Sequence, residues 1–235
     1  LEPGIVESIV AGIANGCRQS GCALLGGETA ELPGMYAQGH YDLAAFAVGV
    51  VDRDARLDPT TVKPGDVAIG VCSAGLHSNG YSLARRALLD PEYGGLSLDD
   101  TFPGTTMSVA EVLLTPTRVY VKAMAAAIAH GGVRSAAHIT GGGLVENPPR
   151  ALPEDTALEL EVGQIPPLPV FEAIAAQGVE AHEMRRTFNA GIGMILFVAP
   201  DAADGVISAL ESTGEQTTRL GKVVAHQGSP TVRFV

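Results

Sequence analysis

Glu28 and Glu31 stand three residues apart directly after Gly26-Gly27, in the stretch Leu25-Gly26-Gly27-Glu28-Thr29-Ala30-Glu31-Leu32-Pro33-Gly34-Met35-Tyr36. Glycines let backbone amides approach a ligand, and two carboxylates in one short loop suit a magnesium nucleotide. The same loop could also be a surface turn whose acids face water. Two more loops combine glycine with polar side chains: Ser73-Ala74-Gly75-Leu76-His77-Ser78-Asn79-Gly80 and Thr140-Gly141-Gly142-Gly143. In the first of these, Ser73, Ser78 and Asn79, together with the free amides of a following helical turn, make an anion site that needs no lysine. His77 adds a group able to donate a proton or a hydrogen bond near neutral pH. In the plainer reading Ser78 or Asn79 is an ordinary N-cap and His77 a surface residue. No Lys-Ser or Lys-Thr follows the glycines, so the loop is not a Walker A motif. Thr140 to Gly143 could tighten a turn or present three consecutive amides to a phosphate or carboxylate. Glu146 and Asn147 could cap that turn or line a cleft. Arg185 and Arg186 could neutralise a phosphate or coat the surface, while Asn189, Gly191 and Gly193 read as cleft residues.

Each loop needs a strand to carry it. Short apolar runs at Cys22–Leu25, Val67–Cys72 and Ala136–Ile139 precede the three loops, and strand ends are where open α/β sheets place their ligands. Ile5, Val6, Ile9, Val10, Ile13 and Cys17 recur at spacings of three and four, predicting an amphipathic helix from about Pro3 to Gly21. Asp42–Val51 reads as a second strand of the first region. One helix and two strands cannot close a core, so the spacing predicts further material before Leu1. Asp52 to Asp66, rich in Asp, Arg and Pro, reads as an interdomain linker. A fuller alternation follows. It comprises strand Val67–Cys72, helix Tyr81–Leu89, a turn-rich surface excursion Asp90–Thr106, and helical segments Ser108–Leu114 and Thr117–His130. Beyond strand Ala136–Ile139 come alternating residues Thr156–Val162, helix Val170–Gln177 and strand Met194–Val198. Helix Asp201–Glu211 and strands Thr217–Val224 and Thr231–Val235 complete the pattern. The division is residues 1–58, the C-terminal part of an N-terminal sheet-forming domain, and residues 59–235, a complete C-terminal domain. The fold class is α/β with α+β character.

The composition excludes several functions. A net charge of −11, with 15 Lys and Arg spread over 235 residues, gives no electrostatic surface for nucleic acid. An anionic substrate must be held locally. The longest apolar stretch, Leu43–Val51, is about half what a membrane-spanning helix requires. Cys17, Cys22 and Cys72 are odd in number with no metal-knuckle spacing, which reads as free thiols in a reducing cytoplasm.

Five motifs in order, GGETAELPGMY, SAGLHSNGYSL, LLTPTRVYVK, AHITGGGLVEN and RTFNAGIGM, resemble the phosphoribosylformylglycinamidine cyclo-ligases, the aminoimidazole ribonucleotide synthetases of purine biosynthesis. The resemblance runs from about Gly4 to the C-terminus. It implies ATP-dependent ring closure of formylglycinamidine ribonucleotide with Mg2+, by positioning and charge neutralisation rather than a protein nucleophile. Carried over by motif, Gly26, Gly27, Glu28, Thr29 and Asn189 would line the nucleotide, with Glu28 on the metal. Ser73, Gly75, Ser78, Asn79, Gly80, Thr140, Gly141 and Gly142 would hold the ribose phosphate, and His77 would bond the reacting groups. Leu32 and Ala74 depart from the family's usual Met and Ser. The family's N-terminal nucleotide and metal motifs are absent from this sequence, which implies little activity for the chain alone. A homodimer is implied as well. Related architectures, namely selenophosphate synthetase, thiamine monophosphate kinase and the hydrogenase-maturation type, are the alternative, as is a non-catalytic binding module.

Overall fold

A computed structural model describes residues 2–235. The chain divides into two compact units, Leu1–Arg56 and Leu57–Val235.

In the first unit the helical periodicity gives α1 (Pro3–Ser20), with proline in the first turn and Gly21 in the left-handed region at its end (φ 73°). The expected strands Cys22–Leu25 and Asp42–Val51 do not form; both segments lack regular structure. The reason is physical: an apolar run becomes a strand only when a neighbour takes its amides and carbonyls. Among the described residues of this unit the only ladder contact is an isolated bridge between Pro33 and Tyr36. Phe46, Val48 and Val50 accordingly stand almost fully exposed.

The second unit is built on six strands: β1 (Val67–Cys72), β2 (Val133–His138), β3 (Thr156–Leu160), β4 (Ile192–Val198), β5 (Thr217–Ala225) and β6 (Thr231–Phe234). They lie in the order β2-β4-β1-β5-β3-β6, antiparallel at every junction except β3–β6. The loops therefore do not all leave one carboxyl edge, as a parallel sheet would have it. Helices are α2 (Tyr81–Leu89), α3 (Val109–Leu113), α4 (Val121–His130), α5 (Gly143–Glu146), α6 (Pro169–Ala176), α7 (Ala181–Thr187) and α8 (Ala203–Glu211).

Strand periodicity sorts the core. Ile69 and Val71 of β1, with Leu196 and Val198 of β4, pack against Ala123 and Ala127 of α4 and Val206 and Leu210 of α8. Ala68, Ile195 and Phe197 face the opposite way, towards Leu144, Ala151 and Leu152. With both faces covered, β1 and β4 are apolar along nearly their whole length. A separate helical cluster joins α2, α3, α6 and α7. The expected surface excursion contributes to it, since Phe102 is fully buried there, held by its N–H donating to Met107 O at 2.8 Å.

The expected linker is also part of the fold from residue 57 onward. Asp58 N–H donates to Arg134 O at 3.0 Å, and the fully buried Asp66 carboxylate takes Arg134 Nε at 2.9 Å. Helix α7 occupies residues before β4 to which the sequence reading assigned no element. Ala-His-Glu-Met-Arg-Arg carries strong helix formers, a signal present in the sequence.

Candidate anion-binding active site

β1 ends at Cys72, and the Ser73–Gly80 loop turns from it into α2. Asn189, buried at the entry to β4, holds this loop. Its Oδ1 accepts from Ser73 Oγ (2.8 Å) and Gly191 N (2.9 Å), while Nδ2 donates to the carbonyls of Gly75 (2.8 Å) and Leu76 (3.2 Å). All four bonds of the amide are thus spent inside the chain, so Asn189 is a clamp and has no amide bond left for a nucleotide. Ser73 is buried and committed to the same clamp.

The turn into α2 is made by Gly80 in the left-handed region (φ 80°), and a Cβ there would overlap the Phe188 ring, its Cδ1 atom lying 2.5 Å from it. This glycine lets the loop pass over Phe188. No side chain caps α2. Ser78, a candidate cap, pairs its hydroxyl with Thr117 Oγ1 at 2.9 Å instead. The first-turn amides of α2 therefore carry no side-chain cap.

The Thr140–Gly143 loop leaves β2 beside them. Asn79 Oδ1 lies 3.4 Å from the position a Gly141 Cβ would occupy, so the two loops meet. Asn147 fastens the second loop from within, Nδ2 donating to Gly143 O (2.8 Å) and Gly141 O (3.1 Å), and Gly143 N–H donates to Thr140 O (3.0 Å). With one of its three amides already engaged, the loop does not present a full nest. A concavity of about 240 Å³ adjoins it, lined by His138, Thr140, Asn147 and Arg150.

His77, in the first of these loops, lies in the left-handed region (φ 58°), uncommon for a non-glycine residue. It is buried, not a surface residue. Its Nε2 accepts the Ala74 N–H at 3.1 Å, which places the proton on Nδ1. Nδ1 is buried and has no hydrogen-bond partner among the described residues. Burial, then the nearby His138 and the Arg118 charge, push the imidazole pKa from 6.5 to about 4. At neutral pH His77 is therefore a neutral ring: of the two roles expected of it, hydrogen-bond donation fits and proton donation does not.

Tyr120, His138, Arg118 and Glu215 were not singled out from the sequence. Tyr120 stands between the two histidines, 6.2 Å from the His77 ring and 6.4 Å from that of His138, and donates its hydroxyl to Cys72 O at 2.8 Å. Gly193 makes room for it: a Cβ there would fall on the phenol. His138 at the end of β2 is also held below the usual histidine range by the protein around it. Arg118 pairs with Glu215 at 3.0 Å. The segment 115–120 stays out of α4, which begins at Val121 and not at Thr117, because Thr117, Arg118 and Tyr120 are each drawn into these tertiary bonds. Tyr120 and His138 lie within two of the five motifs, LLTPTRVYVK and AHITGGGLVEN. Nothing local marks them, since one precedes a helix and the other ends a strand.

Gly26, Gly27, Glu28 and Thr29 belong to the first unit, where they occupy backbone without regular structure. Among the described residues no group of three or more His, Cys, Asp or Glu gathers in a way that could hold a metal ion. Glu28 alone is compatible with Mg2+, which commonly takes one or two carboxylates and completes its shell with water and substrate phosphates. No helix among the described residues is long and apolar enough to cross a membrane.

A mixed six-stranded sheet with a glycine loop running into an uncapped helix defines an α/β protein of α+β character with a candidate anion site where two glycine loops meet. Residues 63–232 match the AIR synthase related protein C-terminal domain and residues 1–51 the corresponding N-terminal domain; the chain belongs to this family. Phosphoribosylformylglycinamidine cyclo-ligase of Symbiobacterium thermophilum is 52% identical over 97% of this chain and 65% of its own length. That of Sorangium cellulosum is 51% identical over 96% and 65%. The bifunctional purine biosynthetic protein purD of Dictyostelium discoideum is 47% identical over 94% of this chain and 27% of its own. The chain thus spans just under two thirds of these bacterial relatives and about a quarter of the larger protein. Escherichia coli HypE shares the fold, with a TM-score of 0.52 at 20% identity over 79% of this chain and 51% of that one.

Proposed function

We propose that the chain carries the substrate-binding part of a phosphoribosylformylglycinamidine cyclo-ligase, which closes the imidazole ring of aminoimidazole ribonucleotide from formylglycinamidine ribonucleotide with ATP and Mg2+. The observation that carries the reading is the uncapped first turn of α2 meeting the Thr140 loop at Asn79. Uncapped amides beside neutral polar side chains suit a ribose phosphate, which a chain this acidic cannot attract over its whole surface. Ser78, Asn79, Gly80, Thr140, Gly141 and Gly142 hold that phosphate in this reading, and Ser73, Gly75 and Asn189 shape the loop.

In the ring closure the formyl amide oxygen accepts a phosphoryl group from ATP, the amidine-side nitrogen attacks the same carbon, and ADP and phosphate depart. His77 Nδ1–H, pre-oriented by the Ala74 amide and desolvated, is suited to hydrogen-bond a reacting oxygen without surrendering its proton. Gly26, Gly27, Glu28 and Thr29 line the nucleotide, with Glu28 directed at Mg2+. The partners are this small-molecule substrate and a second copy of the chain, in the cytoplasm. The domains of the reading are residues 1–58 and 59–235.

The test is an amide NMR titration of the chain with formylglycinamidine ribonucleotide and, separately, ribose 5-phosphate. Shifts are expected first in residues 78–83 and 140–143, for both ligands. Principal shifts elsewhere would overturn the phosphate assignment. A response to the nucleotide but not to the sugar phosphate would assign the site to the base end instead.

A further inference from the structure

The C-terminus of α1 brings together two cysteines that the proposed reaction does not use. Gly21 N–H donates to Cys17 O, and Cys22 N–H donates to the same carbonyl at 3.1 Å. A bond from the residue after the left-handed glycine back to the residue five earlier is the signature of a Schellman cap. It folds that residue over the last turn, where the two side chains usually make an apolar contact. Here the residues that the cap brings over one another both carry thiols. Ser20 Oγ adds a contact to Cys22 Sγ at 3.1 Å. Cys22 is exposed and Cys17 half-buried, so a reagent reaches Cys22 first.

We propose that Cys17 and Cys22 are a modification site for small disulfides of the glutathione class, which convert the pair to an intramolecular disulfide at the entry to the Gly26–Glu31 loop. The Cys22 thiolate attacks one sulfur of the oxidant, whose S–S bond breaks and releases one thiolate. Cys17 then loses its proton to solvent and attacks Cys22 Sγ, expelling the second thiolate. Two protein thiols and one small disulfide become one protein disulfide and two small thiols, with no other oxidant. The Ser20 hydroxyl beside Cys22 favours its thiolate, and the neighbouring Cys22 holds the Cys17 thiol up, so that Cys22 attacks first and Cys17 resolves the mixed disulfide. Cys72 provides an internal control: it is buried, and burial raises its pKa.

The experiment equilibrates the full chain with oxidised and reduced glutathione at stepped ratios, quenches with acid, alkylates free thiols and maps peptides without reduction. Trypsin cleaves after Arg18, between the two cysteines, so the disulfide appears as peptides 1–18 and 19–53 joined and two hydrogens lighter than their sum. The expected result is that joined pair, reversible by dithiothreitol, with Cys72 still alkylated. Cys17→Ser should accumulate the glutathione adduct at residue 22. Cys22→Ser should slow thiol loss at residue 17 by about tenfold or more, in line with the requirement for an accessible thiolate. A stable adduct on Cys22 in the unsubstituted chain, a bridge to Cys72, a bridge between chains, or no reaction would each overturn the proposal.

Discussion

His77 should make the second unit acid-sensitive in a way that one substitution removes. Its folded pKa of about 4 lies below the ordinary 6.5, so the native state holds the imidazole neutral while the unfolded chain binds a proton. The unfolded state therefore binds more protons between these values, and stability must fall as pH drops through 6.5 towards 4. With those two midpoints, the loss between pH 7 and about pH 4.5 is roughly 2 kcal/mol from this residue alone. Carboxylates and His138 also titrate over the range, so the useful quantity is the difference between the unsubstituted chain and His77→Asn. Asparagine tolerates the left-handed backbone and offers an oxygen to the Ala74 N–H. Urea unfolding at both pH values should show the unsubstituted chain losing roughly 2 kcal/mol more than the variant. Imidazole NMR should give a midpoint near 4 and the Nδ1–H tautomer. Parallel stability losses, or a titration near 6.5, would refute the reading of His77 as a buried neutral donor.

Asn189→Ala removes four bonds at once and strands the buried Gly191 N–H and the Gly75 carbonyl. A destabilisation of about 3 kcal/mol is expected, with amide exchange in residues 73–80 accelerating more than in β4. Gly193→Ala places a methyl on the Tyr120 phenol, so the hydroxyl should leave Cys72 O. A loss of roughly 1–3 kcal/mol and a shift of the Tyr120 ring resonances would report it. Arg134→Met leaves the fully buried Asp66 carboxylate without its charge partner. A cost of roughly 3 kcal/mol is expected in urea titrations, largely recovered when Asp66→Asn is added, whereas an additive double variant would show that the pair is not coupled.

Much of the second unit was legible in the residues. Val67–Cys72 and Tyr81–Leu89 form as read, because apolar runs bounded by glycine and a helical period are local signals that tertiary packing here reinforces. The loops at 73–80 and 140–143 were also marked by local chemistry, and the ordered motifs pointed to the family. What the sequence could not decide was pairing. Cys22–Leu25 and Asp42–Val51 have the composition of strands and remain unpaired, because a ladder is a property of two segments and not of one. The antiparallel order of the sheet is likewise set by which edges meet. The roles inside the site were also tertiary: Asn189 becomes a clamp because Ser73, 116 residues away, comes within 2.8 Å of it. Tyr120 and His138 join His77 only when a strand end and a pre-helical segment converge over Gly193, which lacks the side chain that would keep the phenol out. Residue type determined which groups could donate, accept or carry charge; burial and proximity decided that His77 is neutral and that its Nδ1–H is the donor left unengaged.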